Sequence, residues 1–473
     1  MNGKKNQTLL EGSIIRSIFS LSIPIVFANV LQTAYQLTDT FWVGRLGANA
    51  VASISLSFPM IFLAISIGAG FAIAGTVLVA QYTGRQDKEN VNYYAAQTFT
   101  LMVVSSFVVA AMGYCLSPYI IQWMGASDEV SKNAIEYLQI TFIGFIFMYS
   151  YFAFQSLMRG VGDVKTPVVI VLSTVLLNLV LDPLFINGWG PIPAYGVKGA
   201  ALATVGTQGL AAFVGVYLMF SGRYGLHLSV KALKPNLEAM QRIFNLGMPS
   251  SIEQSTRALG LMVMTFLVAS FGTQVTAIYG VVTRILSFVI IPALGFSMAT
   301  STLVAQNIGA DKKERAEKVA KVSTSLAFWL LTLVGTIVFL WPKPLISFFI
   351  PNDELVIEGG VQFLKILAFS FGLIGVQQVV AGILRGSGNT MLAMVLTIVS
   401  LWIFRFPLAY ILSKHTRMAE LGIWWTFLIG NLLSAIVSWI VLIRGNWKHT
   451  QLIKNNLTEQ KVSEAILSEE TVE

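Results

Sequence analysis

Twelve apolar runs, each about the length an α-helix needs to cross roughly 30 Å of bilayer hydrocarbon, follow one another along this chain. They fall at approximately 14–41, 51–80, 93–116, 134–158, 166–187, 198–220, 241–270, 275–305, 321–341, 359–384, 391–412 and 420–443. Stretches rich in Gly, Pro, Asp and Asn separate them, as in GRQDKEN, GASDEVSKN, NGWGPIPAYG, GADKKER and PNDE. Within hydrocarbon each segment must satisfy its own backbone N–H and C=O groups, so runs of this kind are helices. The expected fold class is therefore an all-α polytopic membrane protein. Composition agrees: 55% of the 473 residues are apolar and 11% charged, whereas a soluble domain carries about a quarter charged residues. In such a chain a net charge of +8 needs no nucleic-acid partner. The single cysteine, Cys115, excludes a disulfide framework and a cysteine metal cluster, and its apolar surroundings predict a small buried hydrophobe. The N-terminal stretch lacks a small-residue cleavage site and reads as a retained first span.

Basic loops stay cytoplasmic. Of the 31 Lys and Arg residues, 21 fall in the termini and the even-numbered connections, among them Arg85, Lys88, Lys231, Lys234, Lys312, Lys313, Arg315 and Lys318. Only Arg45, Lys132, Lys198, Lys343, Lys414 and Arg417 fall on the other side. The chain is thus expected in the cell membrane with both termini cytoplasmic.

The runs repeat. LVAQYTG at 78–84 returns as LVAQNIG at 303–309, an offset of 225, which also superposes Pro24 on Pro249, Gly47 on Gly272 and Ala52 on Ala277. LMRGVGD at 157–163 returns as ILRGSGN at 383–389. The unit is six helices, so both copies enter the membrane in the same sense, related by an axis along its normal, and should face each other across a central cleft. The division expected is 1–225 for the first lobe with helices 1–6, 226–455 for the second with helices 7–12, and 456–473 for a polar cytoplasmic tail.

What was not duplicated is more informative about chemistry. Asp39 maps onto Met264, and aligning the prolines of LDPLF and RFPLAY sets Asp182 opposite Phe406 and Asn178 opposite Trp402. An aspartate within a span costs roughly 2.5–3.5 kcal/mol on insertion scales and so marks an ion, proton or substrate path. Asp39 and Asp182 lie five and six residues before Gly44 and Gly188, near the outer ends of helices that both run outward. They can share one level. Asn178 lies one turn below Asp182 on the same face. Pro183 leaves the carbonyl of Leu179 without its usual donor and could bend the helix towards a cavity. Two carboxylates and an amide oxygen suit Na⁺, or form a like-charge pair that holds a proton near neutral pH; a capping role for each is the plainer alternative.

Across about residues 10–445, the stretches IPIVFANVLQTAYQLTDTFWVGRLG, LVAQYTGRQDKEN, FQSLMRGVGDVKTPV, LLNLVLDPLFINGWG and YGVKGAALATV resemble the multidrug and toxic compound extrusion (MATE) transporters. The likeness is greatest to the prokaryotic branch related to DNA-damage-inducible protein F. It implies twelve transmembrane helices in two parallel six-helix repeats, arranged as V-shaped N- and C-lobes. It also implies export of organic, often cationic, compounds driven by H⁺ or Na⁺ entry. By the same resemblance the cation-coupling set is Asp39, Gln32, Tyr137, Asn178, Asp182 and Thr204. Asp39, Asn178, Asp182 and Thr204 would be the ligands if Na⁺ is the ion.

In the second half the strong intramembrane acid is Glu253, one turn before Arg257, and the two can neutralise each other. Glu253, Arg257, Arg284, Met262 and Met264 are the candidate cleft or substrate residues, with packing or snorkelling as the bland reading. Arg159 and Arg385, at matching repeat positions, read as cytoplasmic helix-end anchors. No G-x-x-x-x-G-K-[ST] loop is present, which disfavours an ATP-driven pump. The expected protein is not an enzyme: it is a monomer without cofactor, meeting small amphipathic compounds and membrane lipid. A lipid-linked precursor flippase of the same broader superfamily is the alternative, and a membrane-embedded transferase a more distant one.

Overall fold

A computed structural model describes residues 9–191, 193–450 and 452. The first repeat comprises α1 (Ile14–Gly44), α2 (Ala48–Gly84), α3 (Lys88–Trp123), α4 (Asp128–Gly160), α5 (Lys165–Asn187) and α6 (Val197–Ser221). The second comprises α7 (Leu237–Ala269), α8 (Thr273–Gly309), α9 (Lys313–Leu340), α10 (Pro342–Phe349), α11 (Glu354–Ala368), α12 (Phe371–Gly386), α13 (Thr390–Ile398), α14 (Phe406–Lys414) and α15 (Glu420–Arg444). The proposed tail at 456–473 lies outside the described residues.

The duplication reaches backbone detail. Helices α2 and α8 are 37 residues each and start after Gly47 and Gly272, at φ 107° and 105°. Gln86 and Asp311, 225 apart, both take positive φ, at 63° and 56°. Helices α6 and α15 are 25 residues each and end on left-handed glycines, Gly222 and Gly445. They begin after Gly196 at φ 57° and Ala419 at φ 48°. Ala419 holds a conformation unfavourable for a residue with a Cβ, where the first repeat has Gly196.

Among the described residues ten helices are long and apolar enough to cross a membrane, and α11 with α12 make an eleventh span bent by 51°. The continuous tenth span expected from sequence is broken. Ser370 causes the break: its N–H and its hydroxyl both bond the Leu367 carbonyl, at 2.8 and 2.7 Å, and Asn431 donates to the hydroxyl at 3.0 Å. Helix α7 completes the twelve; its polar run EQSTR (253–257) keeps it below the apolarity of the others. The eleventh span, Thr390–Lys414, widens to a π-helix over Val399–Arg405, directly before Pro407. A proline at 407 cannot donate to the carbonyl four residues back, and the wider turn accommodates that loss. Cys115, expected buried, is exposed on α3. Its neighbours Met112, Tyr114 and Leu116 are exposed too, so this face of the helix meets lipid rather than core.

The repeats meet through α1 and α2 of one and α7 and α8 of the other, near the face that carries the chain ends. Gln81 of α2 donates to the Gly386 carbonyl at 3.2 Å, and its mate Gln306 of α8 donates to the Gly160 carbonyl at 2.9 Å. At this crossing a Cβ on Gly84 would collide with the Gln306 backbone, and one on Gly309 with that of Gln81. Ser251 of α7 donates to the Ile67 carbonyl of α2 at 3.0 Å. Helices α2 and α8 are buried almost without a break from Gly68 to Gly84 and from Ala293 to Asn307. Towards the opposite face Phe58, Leu63 and Phe288 are exposed. The two lobes form a V, closed at the terminal face and open at the other.

Small residues at a helix crossing let backbones approach where lipid offers no hydrophobic drive. Replacing Gly84 or Gly309 by Ala forces the crossing apart, at a cost of about 1–3 kcal/mol. With Cys115 replaced by Ser and Thr83 by Cys, maleimide should label Cys at 83 about tenfold faster in the Gly309→Ala background. An unchanged rate would show that the crossing does not close this face.

Candidate functional site

Four helices of the first repeat converge near the open face. Helix α1 supplies Tyr35 and, one turn on, Asp39; α5 supplies Asn178 and Asp182, also one turn apart; α6 supplies Thr204 and Thr207; and α4 supplies Tyr137. Spacings of three and four put each pair on one face of its helix, which is why the four helices can present a single polar cluster inside apolar bundles. Thr204 Oγ1 donates to Asp39 Oδ2 at 3.3 Å. Asn178 Nδ2 donates to Asp182 Oδ1 at 2.8 Å. Tyr35 and Thr207 hydroxyls bond at 2.7 Å. Asp182 and Asn178 are close electrostatic neighbours of Asp39. Tyr137 stands beside the two carboxylates, with its own carbonyl taken by Thr141 at 2.7 Å.

Asn178 and Asp182 are 0% exposed. Three buried oxygens of this cluster have no hydrogen-bond partner: Asp39 Oδ1, Asn178 Oδ1 and Asp182 Oδ2. Among the described residues no Lys or Arg forms an ion pair with either carboxylate. A buried and a half-buried acid without countercharge are costly unless a cation or a proton joins them. The donor set of carboxylate, amide and hydroxyl oxygens fits a hard monovalent cation as well as a proton.

The structure thus gathers Asp39, Tyr137, Asn178, Asp182 and Thr204. Gln32 stands exposed on α1, two turns before Asp39, and makes no hydrogen bond to the cluster among the described residues. Pro183 follows Asp182, and α5 continues past it to Asn187 as one unbroken helix, because the proline falls in its last turns where little helix remains to deflect. Tyr35 and Thr207 escaped the sequence reading. Their spacing of four from Asp39 and three from Thr204 is the signal that would have found them.

In the second repeat Glu253 is 0% exposed and its Oε1 accepts from Arg257 at 2.9 Å, from Arg385 at 3.1 Å and from Thr397 at 3.3 Å. Arg385 is corrected: at 7% exposure it is a buried ion-pair partner that also bonds Ser297 at 2.9 Å, not a helix-end anchor. Met264 is corrected too, since at 4% exposure it packs in the core of this repeat with Leu267, Val268 and Val282 rather than on a cleft wall. Met262 and Arg284 are exposed. Removing one partner of such a buried network strands the others, at about 3–5 kcal/mol. Glu253→Ala should therefore lower the apparent melting temperature of the purified protein sharply, whereas Asp39→Asn should not. Equal melting of Glu253→Ala and wild type would show that the pair carries no stability.

The chain matches the MatE family model twice, over residues 24–184 and 249–411, in register with the internal repeat. It is 29% identical over 450 residues to "Probable multidrug resistance protein YoeA" of Bacillus subtilis, covering 93% of this chain and 96% of that protein. It is 26% identical over 451 residues to "Probable multidrug resistance protein NorM" of Thermotoga maritima, covering 95% and 96%. A solved structure described as the outward-facing conformation of a multidrug resistance MATE family transporter superposes with a TM-score of 0.88 at 24% identity, over 94% of this chain and 99% of that one. With both copies of the family model laid on the two repeats, the chain belongs to the MATE family.

Proposed function

We propose that this protein is a secondary multidrug exporter that expels small amphipathic organic compounds in exchange for H⁺ or Na⁺ entering at the first-repeat cluster. The observation that carries this reading is the trio of unpartnered buried oxygens on Asp39, Asn178 and Asp182, set in the half of the bundle that opens away from the chain ends. The names of the relatives support drug export, and the concentration of basic residues at the terminal face supports a cytoplasmic assignment of that face in the cell membrane. On this reading the V is open to the outside, and a cation or proton reaches the cluster from there.

The exchange follows from the charges. An ion or proton between Asp39 and Asp182 removes their repulsion and draws α1 and α5 together. Leaving it separates them again. Pro183 gives α5 one missing hydrogen bond, at the Leu179 carbonyl, where such a change can bend the helix. If substrate prefers the arrangement the ion disfavours, each ligand weakens the other by the same coupling energy, typically about 1–3 kcal/mol.

Asp39→Asn and Asp182→Asn should each abolish ion-driven efflux while the protein is still made and inserted. Substrate affinity measured at a series of pH values, with and without Na⁺, should fall as pH drops. The fall should flatten in Asp182→Asn, and Pro183→Ala should keep the proton uptake while losing most of its effect on substrate. A pH dependence unchanged in both aspartate variants would sink the assignment and send the coupling elsewhere.

A further inference from the structure

The interior of the second bundle inverts the polarity of the first. It carries three guanidiniums, that of Arg385 buried and those of Arg257 and Arg405 half-buried, against one carboxylate, Glu253. Glu253 is shared between Arg257 and Arg385 through a single oxygen. Arg405 forms no ion pair among the described residues; its Nη2 donates to Asn431 Oδ1 at 2.5 Å, and its guanidinium lies 5.1 Å over the Phe427 ring. Its Nε is buried with no hydrogen-bond partner. Tyr279, beside Arg405, likewise has a buried hydroxyl without a partner.

These groups surround a space. A cavity of about 110 Å³ is lined by Arg257, Arg405, Gln378, Thr397, Ser400 and Ser434, among others. It has room for several waters. Gln378, only 7% exposed, carries an unpartnered amide oxygen, and rotation of that terminal amide would present N–H donors instead. The π-helix Val399–Arg405 forms one wall and carries Ser400 and Arg405 into it; such widened turns recur at functional sites. A metal cation is repelled here. A group with two or more anionic oxygens meets the free Nε of Arg405, the Ser400 hydroxyl, the Gln378 amide and the guanidinium of Arg257, which also pairs with Glu253; guanidinium, hydroxyl and amide donors are those that recognise carboxylate or phosphate.

We propose that this cavity is an anion-binding site for the carboxylate or phosphate of an amphipathic molecule, either a soluble compound or a lipid headgroup. Its occupant is distinct from the coupling ion, which meets the acids of the first repeat. The export reading above predicts nothing about binding here, and binding requires no ion gradient, so the two stand or fall separately.

The test uses the purified full chain in phosphatidylcholine nanodiscs and two probes of one shape, 1-pyrenebutyrate and the neutral 1-pyrenebutanol. Wild type should bind the acid about tenfold more tightly than the alcohol, the worth of one hydrogen bond to a charged group. Arg405→Gln should remove that preference while leaving alcohol binding in place, which also reports that it folds. Arg405→Lys should keep part of it, and Arg417→Gln, on an exposed loop, all of it. Inorganic phosphate should compete with the acid and not with the alcohol on wild type, a measurement independent of any variant. Replacing part of the lipid by phosphatidate separates the sources: loss of acid binding there assigns the site to a headgroup, and retention assigns it to a soluble anion. Equal binding of acid and alcohol by wild type, absence of phosphate competition, or a preference that survives Arg405→Gln would overturn the proposal.

Discussion

The crossing of α2 and α8 is the constraint on which the rest of the molecule hangs. Each repeat is a bundle that satisfies its own backbone, and nothing in hydrocarbon drives two such bundles together. What joins them is close approach of backbone where Gly84 meets Gln306 and Gly309 meets Gln81, together with the amide bonds from Gln81 and Gln306 into the opposite repeat. The motif LVAQ(Y/N)(T/I)G is thus repeated because the crossing is reciprocal: each copy supplies the glycine for the other's carbonyl. A joint made of small residues at one face leaves the helices free to diverge towards the other, and the V follows.

Duplication then permits division of labour. The packing positions were kept in both copies, while the charged interior positions diverged. By the 225-residue offset Asp39 corresponds to Met264, Glu253 to Ala28 and Arg257 to Gln32. One bundle interior became acidic and lacks countercharge; the other became basic and neutralises part of its charge internally. The network of Glu253 with Arg257 and Arg385 neutralises its carboxylate through Oε1, although Oε2 is left without a partner. The first repeat leaves three oxygens of its acidic cluster without a partner and without a cationic side chain paired to them among the described residues.

Much of this was legible in the chain. Span length, loop punctuation and the 225-residue offset are local or periodic signals, and they give twelve helices in two parallel repeats. The convergence of Asp39 and Asp182 could be read from their equal distance to the helix ends, since topology turns sequence distance into depth. The pairing of Glu253 with Arg385 could not, because 132 residues separate them and the matching Arg159 suggested a shared anchoring role. Met264 and Cys115 were misread for a related reason: in a membrane helix apolar residues cover core, cleft and lipid faces alike, so hydrophobic pattern does not say which face is buried. The break before Phe371 carries no proline. It depends on Ser370 being held by Asn431 of a distant helix, an interaction that local sequence does not encode.

The two prolines show how one sequence feature yields two structures. Pro183 and Pro407 occupy equivalent places and remove the same backbone bond. In the second repeat the loss is already absorbed by the π-helix Val399–Arg405, and Arg405 is anchored at its end by Asn431. In the first repeat α5 remains an unbroken α-helix through Pro183, directly after a carboxylate that has an orphan oxygen. A relaxed, pinned distortion gives a rigid wall. In the first repeat the missing bond at the Leu179 carbonyl stays unabsorbed one turn from Asp182, the carboxylate on which the proposed coupling rests.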